Sequence, residues 1–421
     1  MSNHSSDVLP RPRALTRRGL VAALSGLSAA FSAAATKLQD PSLPFGHDSI
    51  YTRLFGIRPL LSCRAHTTIV GGSRMPEEVL RAMADANDYF VDMHELNAAA
   101  GRRIAEVTGA EAGLVTAGSF SSMVLAAAAC LTGADREKIG QLPHPTWDKR
   151  ECLMQKGHRF GYDCAFRAGG ATIVDAETKE ELMRMIGPRT AFIGVLASVE
   201  RSSNPPPGLL MPHELVAIGK QHGVPVVIDA ASELPPVDTL TRYVKMGADL
   251  VIISGGKGIL GPQSTGILAG RKALIEAAYL NHSPNTAIGR GMKVGKEEIV
   301  GFIVALNRYL ALDHETVMET WNRKAHWMAE QLQGVPGLHT QYRQNAYGFG
   351  EVRFEWDQKI IPLTPRQVQQ KLQAGEPRVV YYEDDKGGTI QTRTMQDGEE
   401  ILAARRLRQF FLEEARRPSS G

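Results

Sequence analysis

Val224-Pro-Val-Val-Ile-Asp229 and Asp249-Leu-Val-Ile-Ile-Ser254, the second followed by Gly255-Gly256-Lys257-Gly258, decide the architecture of this 421-residue chain. Each is a short β-branched run bounded by Gly, Pro or a charge, the pattern of a strand buried on both faces of a parallel sheet. In open α/β sheets, ligands sit beyond the carboxyl ends of the strands. Asp229 ends the first run and Lys257 follows the second, so both are expected to face one crevice.

A carboxylate and an amine placed this way are the two groups a pyridoxal phosphate (PLP) site needs. The lysine holds the aldehyde as a Schiff base, and the acid keeps the pyridine nitrogen protonated so that the ring accepts electrons. Taken singly, Asp229 could be a turn cap and Lys257 a solvated loop residue. Together they point to chemistry, and the glycines around Lys257 would let a flat cofactor approach the backbone. The loop lacks the Gly-x-x-x-x-Gly-Lys-Ser/Thr spacing of a P-loop.

Upstream, Thr108-Gly-Ala-Glu-Ala-Gly-Leu-Val-Thr116 reads as a turn feeding a strand, and Gly118-Ser119-Phe120-Ser121-Ser122 opens an Ala-rich helix. Backbone N–H groups and hydroxyls converge at the positive end of such a helix, so this turn is the expected cofactor-phosphate site. Ser254 could add a further hydroxyl. Strand signals at 171–174 and 191–197 alternate with helical ones, which implies an α/β fold with a mostly parallel sheet covered on both faces. Helical signals dominate 75–106 and 301–332. Strands near 347–356 mixed with helices at 364–372 and 399–414 indicate a smaller C-terminal α+β domain. The expected division is 1–35 export signal, 36–75 N-terminal arm, 76–300 large cofactor-binding domain, and 301–421 helical connection plus small domain.

Net charge is +3, from 48 basic and 45 acidic residues. That balance argues against a nucleic-acid surface, so no nucleic-acid partner is expected. The four cysteines, Cys63, Cys130, Cys152 and Cys164, form no CxxC and fit neither a zinc site nor a disulfide framework; no metal is expected. Arg11, Arg13, Arg17 and Arg18 precede an Ala-, Gly- and Ser-rich apolar stretch at 19–35. This is the layout of an export signal, and Thr16-Arg17-Arg18-Gly19-Leu20-Val21 resembles the twin-arginine kind. The stretch is short and weakly apolar for a stable membrane span. Cleavage near Ala35 would put the mature protein in the periplasm or outside the cell; an unused signal would leave it in the cytoplasm.

Further candidates lie in Gly157-His158-Arg159-Phe160-Gly161-Tyr162-Asp163, where His158 could stack on the pyridine ring or transfer protons. A structural histidine is the competing reading. His66, Arg74, Arg290 and Lys293 are candidates for substrate anion contacts, with surface solvation as the alternative for each.

The stretches around Asp229 and Lys257, together with 108–116, resemble fold-type I PLP enzymes of the selenocysteine synthase group (L-seryl-tRNA(Sec) selenium transferase). Within that group, Gly71-Gly-Ser-Arg-Met-Pro76, 157–163 and Gly289-Arg-Gly-Met-Lys-Val-Gly-Lys-Glu-Glu298 resemble D-glucosaminate-6-phosphate ammonia lyase and its relatives. The likeness runs over 61–309. It implies an aspartate aminotransferase-like large domain, Lys257 as the Schiff-base lysine, Asp229 as the pyridine partner, 118–122 as the phosphate loop and Arg74 as an anion contact. It also implies a homodimer or larger homo-oligomer. The chain departs from selenocysteine synthase in having an export-type leader where that enzyme has an RNA-binding region.

The expected chemistry is α,β-elimination on a small amino acid or amino sugar acid, of the ammonia lyase type. A selenocysteine synthase-like transferase, an aminotransferase or racemase, and an inactive scaffold are the alternatives. An NAD-binding Rossmann protein would need Gly-x-Gly-x-x-Gly, which the 118 turn lacks.

Overall fold

A computed structural model describes residues 45–202 and 204–417; the export signal expected at 1–35 lies outside the described residues. Among the described residues twelve strands form two sheets. The larger, with seven strands, is built from β2 (Ala112–Thr116), β3 (Glu151–Gln155), β4 (Thr172–Ala176), β5 (Thr190–Leu196), β6 (Val226–Asp229), β7 (Leu250–Ser254) and β8 (Gly266–Gly270), in the order β2-β8-β7-β6-β5-β3-β4. Pairings from β4 through β7 are parallel, whereas β8 is antiparallel to both of its neighbours. The two decisive runs are therefore adjacent central strands of a mostly parallel sheet. The Gly-rich β8 carries no strand signal of its own and is held in place by its two neighbours.

Period-2 alternation explains why β6 and β7 must be covered on both sides. Val226, Ile228, Val251 and Ile253 face a core that includes Ile193, Ile259 and Phe302. Val227, Leu250 and Ile252 face the opposite core, with Phe166, Phe192 and Leu268. Burying each such side chain contributes roughly 1.5–3 kcal/mol. The Ala-rich helix Gly118–Thr132 lies on the second side, and its Val124 to Ala128 positions are fully buried, because small side chains let it sit close to the sheet.

The smaller sheet comprises β1 (Leu60–Cys63), β9 (Leu338–Gln344), β10 (Gly350–Trp356), β11 (Arg378–Glu383) and β12 (Gly387–Gln391), in the order β1-β11-β12-β10-β9. It has its own core around Phe354, Tyr381, Leu407 and Phe411. Here the structure departs from the expected arm at 36–75. β1 pairs in parallel with β11, Leu60 opposite Arg378, so part of the arm is an edge strand of the C-terminal sheet. The division expected at 300/301 falls inside the helix Lys296–Ala311. Ile299, Phe302, Ala305 and Leu306 of that helix are buried in the large-sheet core.

The helical tract at 75–106 is two helices, Glu77–Asn87 and Met93–Thr108. Asp92 restarts the second by accepting from the N–H groups of His94 and Glu95. Asp313 divides the later tract in the same way, capping His314–Gln331. Among the described residues no helix is long and apolar enough to cross a membrane.

Candidate active site

In the parallel pairing of β6 with β7, Asp229 lies opposite Ile252. Ser254 ends β7 and Lys257 follows in the next turn, so carboxylate and amine emerge from one edge of the sheet. Asp229 is buried, and its Oδ1 accepts from the Ala231 N–H at 2.9 Å. Burial raises its pKa from 3.8 to about 6, against the opposing pull of that hydrogen bond and of Lys257, while Glu233 adds to the rise. Burial lowers the Lys257 ammonium from its ordinary 10.5, opposed by the charges of Asp229 and Glu233. Low dielectric thus favours a neutral amine, the form that acts as nucleophile or base.

The glycines around Lys257 also serve packing. A Cβ on Gly256 would lie 2.5 Å from the Gln263 backbone, and one on Gly258 2.5 Å from the Leu234 carbonyl oxygen. Gly118 is the open position. Its φ is +80° and a Cβ there would meet nothing within 4 Å. The helix it opens has no side-chain cap, so its first N–H groups lack an intrahelical partner. Gly118 packs over Gly266, which pairs with Ser254, and this sets the turn close to the Lys257 loop.

Of the hydroxyls expected to gather at this turn, two are already engaged. Ser121 Oγ donates to the Ala117 carbonyl at 2.8 Å, and Ser122 Oγ shares a 2.6 Å bond with Thr116 Oγ1. Ser119 and the backbone are left to face an anion, and the Phe120 ring is exposed.

His158 is a correction. It has no exposed surface; Nδ1 accepts from the Leu196 N–H at 3.1 Å and Nε2 donates to the Leu210 carbonyl at 2.9 Å. Both nitrogens are committed to backbone and the ring has no open face, so His158 fastens β5 to the segment before Pro212–His222. Arg74 is also engaged elsewhere. Its guanidinium makes two 2.7 Å bonds to the Glu399 carboxylate and a third to the Thr394 carbonyl, tying the two sheets' domains together. Arg290 is exposed, on a loop pinned by the His282–Gly289 bridge. His66 does reach the crevice. Burial, then Arg393 and Lys257, push its pKa down to about 3, so the ring is neutral. Its Nδ1 shares a 2.5 Å bond with Ser73 Oγ, which donates to the Lys257 carbonyl at 3.2 Å.

Four residues absent from the sequence reading complete the site. Glu233, only 1% exposed, accepts from the Tyr347 hydroxyl and pairs with Arg201 at 3.0 Å. Arg393, just past β12, directs its guanidinium over the Phe349 ring at 4.8 Å, and its buried Nε has no hydrogen-bond partner. Arg201, Tyr347 and Arg393 line a cleft of about 360 Å³ between the two sheets' domains. Only Glu233 carried a signal in the sequence, being an acid in the turn that Asp229 begins.

Residues 195–354 match the class-V aminotransferase family. Over 394 residues the chain is 34% identical to the 5'-C-glycyluridine monooxygenase-decarboxylase of a Streptomyces species, covering 89% of this chain and 94% of that protein. The chain belongs to the fold-type I PLP-dependent enzymes. The enzyme is also 29% identical over 376 residues to D-glucosaminate-6-phosphate ammonia lyase of Salmonella typhimurium, covering 86% of this chain and 98% of that protein. It superposes on a solved D-glucosaminate-6-phosphate ammonia-lyase structure with a TM-score of 0.76 at 28% identity, covering 87% and 99% of the two chains. L-seryl-tRNA(Sec) selenium transferase of Geobacter metallireducens is 30% identical over 199 residues, covering 41% of this chain and 38% of that protein.

The enzyme's residues fit the cofactor. A buried carboxylate with a raised pKa suits a protonated ring nitrogen, an uncapped helix start with open space above Gly118 suits a phosphate, and Lys257 is a desolvated amine beside both.

Proposed function

We propose that the enzyme holds PLP between the 118–122 turn and Lys257 and catalyses α,β-elimination on a β-hydroxylated amino acid or amino sugar acid, releasing ammonia and a keto acid. PLP supplies an aldehyde that bonds covalently to amines and a ring that accepts electrons. The Gly118 and Ser119 N–H groups and the Ser119 hydroxyl bind the phosphate, with Ser254 on the neighbouring strand, and Asp229 carries the proton shared with the ring nitrogen. Lys257, whose ammonium form burial disfavours, would form the covalent link; displaced from it by the substrate's amine, the freed ε-amine would take the α-proton and give it to the departing hydroxyl. Arg393 holds the substrate carboxylate with its spare donors.

One observation carries this reading: a buried Asp229 and a half-buried Lys257 emerging together at the carboxyl edge of adjacent parallel strands. The purified protein is incubated with PLP, and a visible-edge absorbance band is recorded, with ammonia release from a panel of β-hydroxy amino acids. Loss of both signals in Lys257→Ala supports the reading; a band unchanged in the variant defeats it.

Likeness to the glycyluridine enzyme favours a second reading, decarboxylation with dioxygen. The same assay under nitrogen separates the two, because elimination continues without oxygen while carbon dioxide release stops. The enzyme works as a homo-oligomer in this proposal, a second copy covering the exposed Tyr89, Phe90 and Val91. The twin-arginine-like stretch at 16–21 supports export of the folded, cofactor-loaded protein to the periplasm or beyond.

A further inference from the structure

Charges along the cleft between the domains are unevenly partnered. Three charged side chains line it, Arg201, Glu351 and Arg393. Arg201 is neutralised by Glu233 at 3.0 Å, donates to Ser232 Oγ at 3.1 Å, and lies 5.8 Å from the Tyr347 ring centre. Glu351 accepts from the Asn345 amide at 3.3 Å and from the Gln391 amide, with Arg343 3.5 Å away. Arg393 uses one Nη2 bond, to Gln391 Oε1 at 2.9 Å, and its Nε is unpartnered. Among the described lining residues it is the guanidinium that no carboxylate pairs at ion-pair distance, whereas Arg201 is paired with Glu233.

The remaining polar wall is neutral: Ser198, Ser202 and Ser232 hydroxyls and the Asn345 and Gln391 amides. Hydroxyls and amides both donate and accept, which is what recognition of a hydroxylated chain requires. A volume of about 360 Å³ leaves room beyond a carboxylate and an α-carbon. With Arg393 on the carboxylate, a second anion placed here would meet the Glu351 carboxylate and an Arg201 whose charge is already answered by Glu233.

We infer that this cleft selects a substrate with one carboxylate and an uncharged, hydroxyl-bearing chain, and rejects the same chain esterified with phosphate. The inference rests on the proposed PLP chemistry for its substrate's amino group. Its test is separate, because binding can be read without turnover.

Calorimetric titration of the PLP-loaded protein uses a six-carbon polyhydroxy acid lacking the amino group, and the same acid carrying a terminal phosphate. The unphosphorylated acid is expected to bind at least tenfold tighter. Arg393→Gln should lose that tight binding. Glu233→Gln, which releases Arg201, should narrow or invert the preference. If that variant does not fold, the ratio measured on the unaltered protein decides alone. Equal or tighter binding of the phosphate ester overturns the inference, and so does failure of both acids to bind. Ammonia release from the 2-amino forms of the two acids is measured in parallel. Selective binding without ammonia release would refute the elimination while leaving the selectivity standing.

Discussion

Asp229 ends β6 and Lys257 follows in the turn after the adjacent parallel strand β7; the two bear on each other's charge, yet burial dominates both, raising the acid and lowering the amine. An acid whose folded pKa exceeds its unfolded one favours folding below the unfolded value, and that contribution is lost as pH rises through the folded value. For Asp229 the window runs from 3.8 to about 6. The cofactor-free Asp229→Asn protein should therefore match the unaltered protein near pH 4 and exceed it by up to about 3 kcal/mol at pH 8. Urea unfolding at both pH values checks this; a difference independent of pH would contradict it.

His158→Phe should unfold more easily by about 3 kcal/mol, because the Leu196 N–H and the Leu210 carbonyl lose their partners inside the core. The pH profile of kcat should not change, since the ring has no nitrogen left for proton transfer. A displaced profile limb would restore a catalytic role.

Gly118→Ala tests the phosphate turn. The added methyl meets no atom, so any loss arises from forcing an L-residue to φ +80°. That costs about 1–2 kcal/mol, and cofactor titration should show affinity roughly tenfold weaker if the strain is relieved by moving the turn. Unchanged affinity would place the phosphate elsewhere.

Phe90 is entirely exposed between Tyr89 and Val91, themselves exposed. Phe90→Asp should shift sedimentation velocity toward a monomer, with circular dichroism unchanged. A monomeric unaltered protein would remove the proposed second copy.

What could be read from residue order follows a physical division. β6, β7 and the groups at their ends were legible because a strand buried on both faces needs a continuous apolar run, and the crevice position follows from strand direction. β1 was not, because four residues after a proline carry no period, and their partner lies far along the chain. Arg393, Arg201 and Tyr347 are ordinary polar residues until folding gathers them from separate segments. His158 misled because a histidine after an apolar run looks the same whether its nitrogens meet ligand or backbone. Arg74 misled in another way: an arginine at a conspicuous turn was taken for a ligand contact, and its acid partner Glu399 is 325 residues away.

The edge strand β1 also has a bearing on biosynthesis. Arg378 donates to the Arg58 carbonyl across 320 residues, and among the described residues β1 beside it finds its one neighbouring strand in β11. At ribosomal speeds of about 5–20 residues per second, Leu60 and Leu61 wait roughly 15–60 seconds for that neighbour. The small domain is thus closed by a strand translated some 320 residues ahead of its partner, and a nascent chain arrested before β11 would display an unsatisfied apolar edge to any chaperone that scans for one.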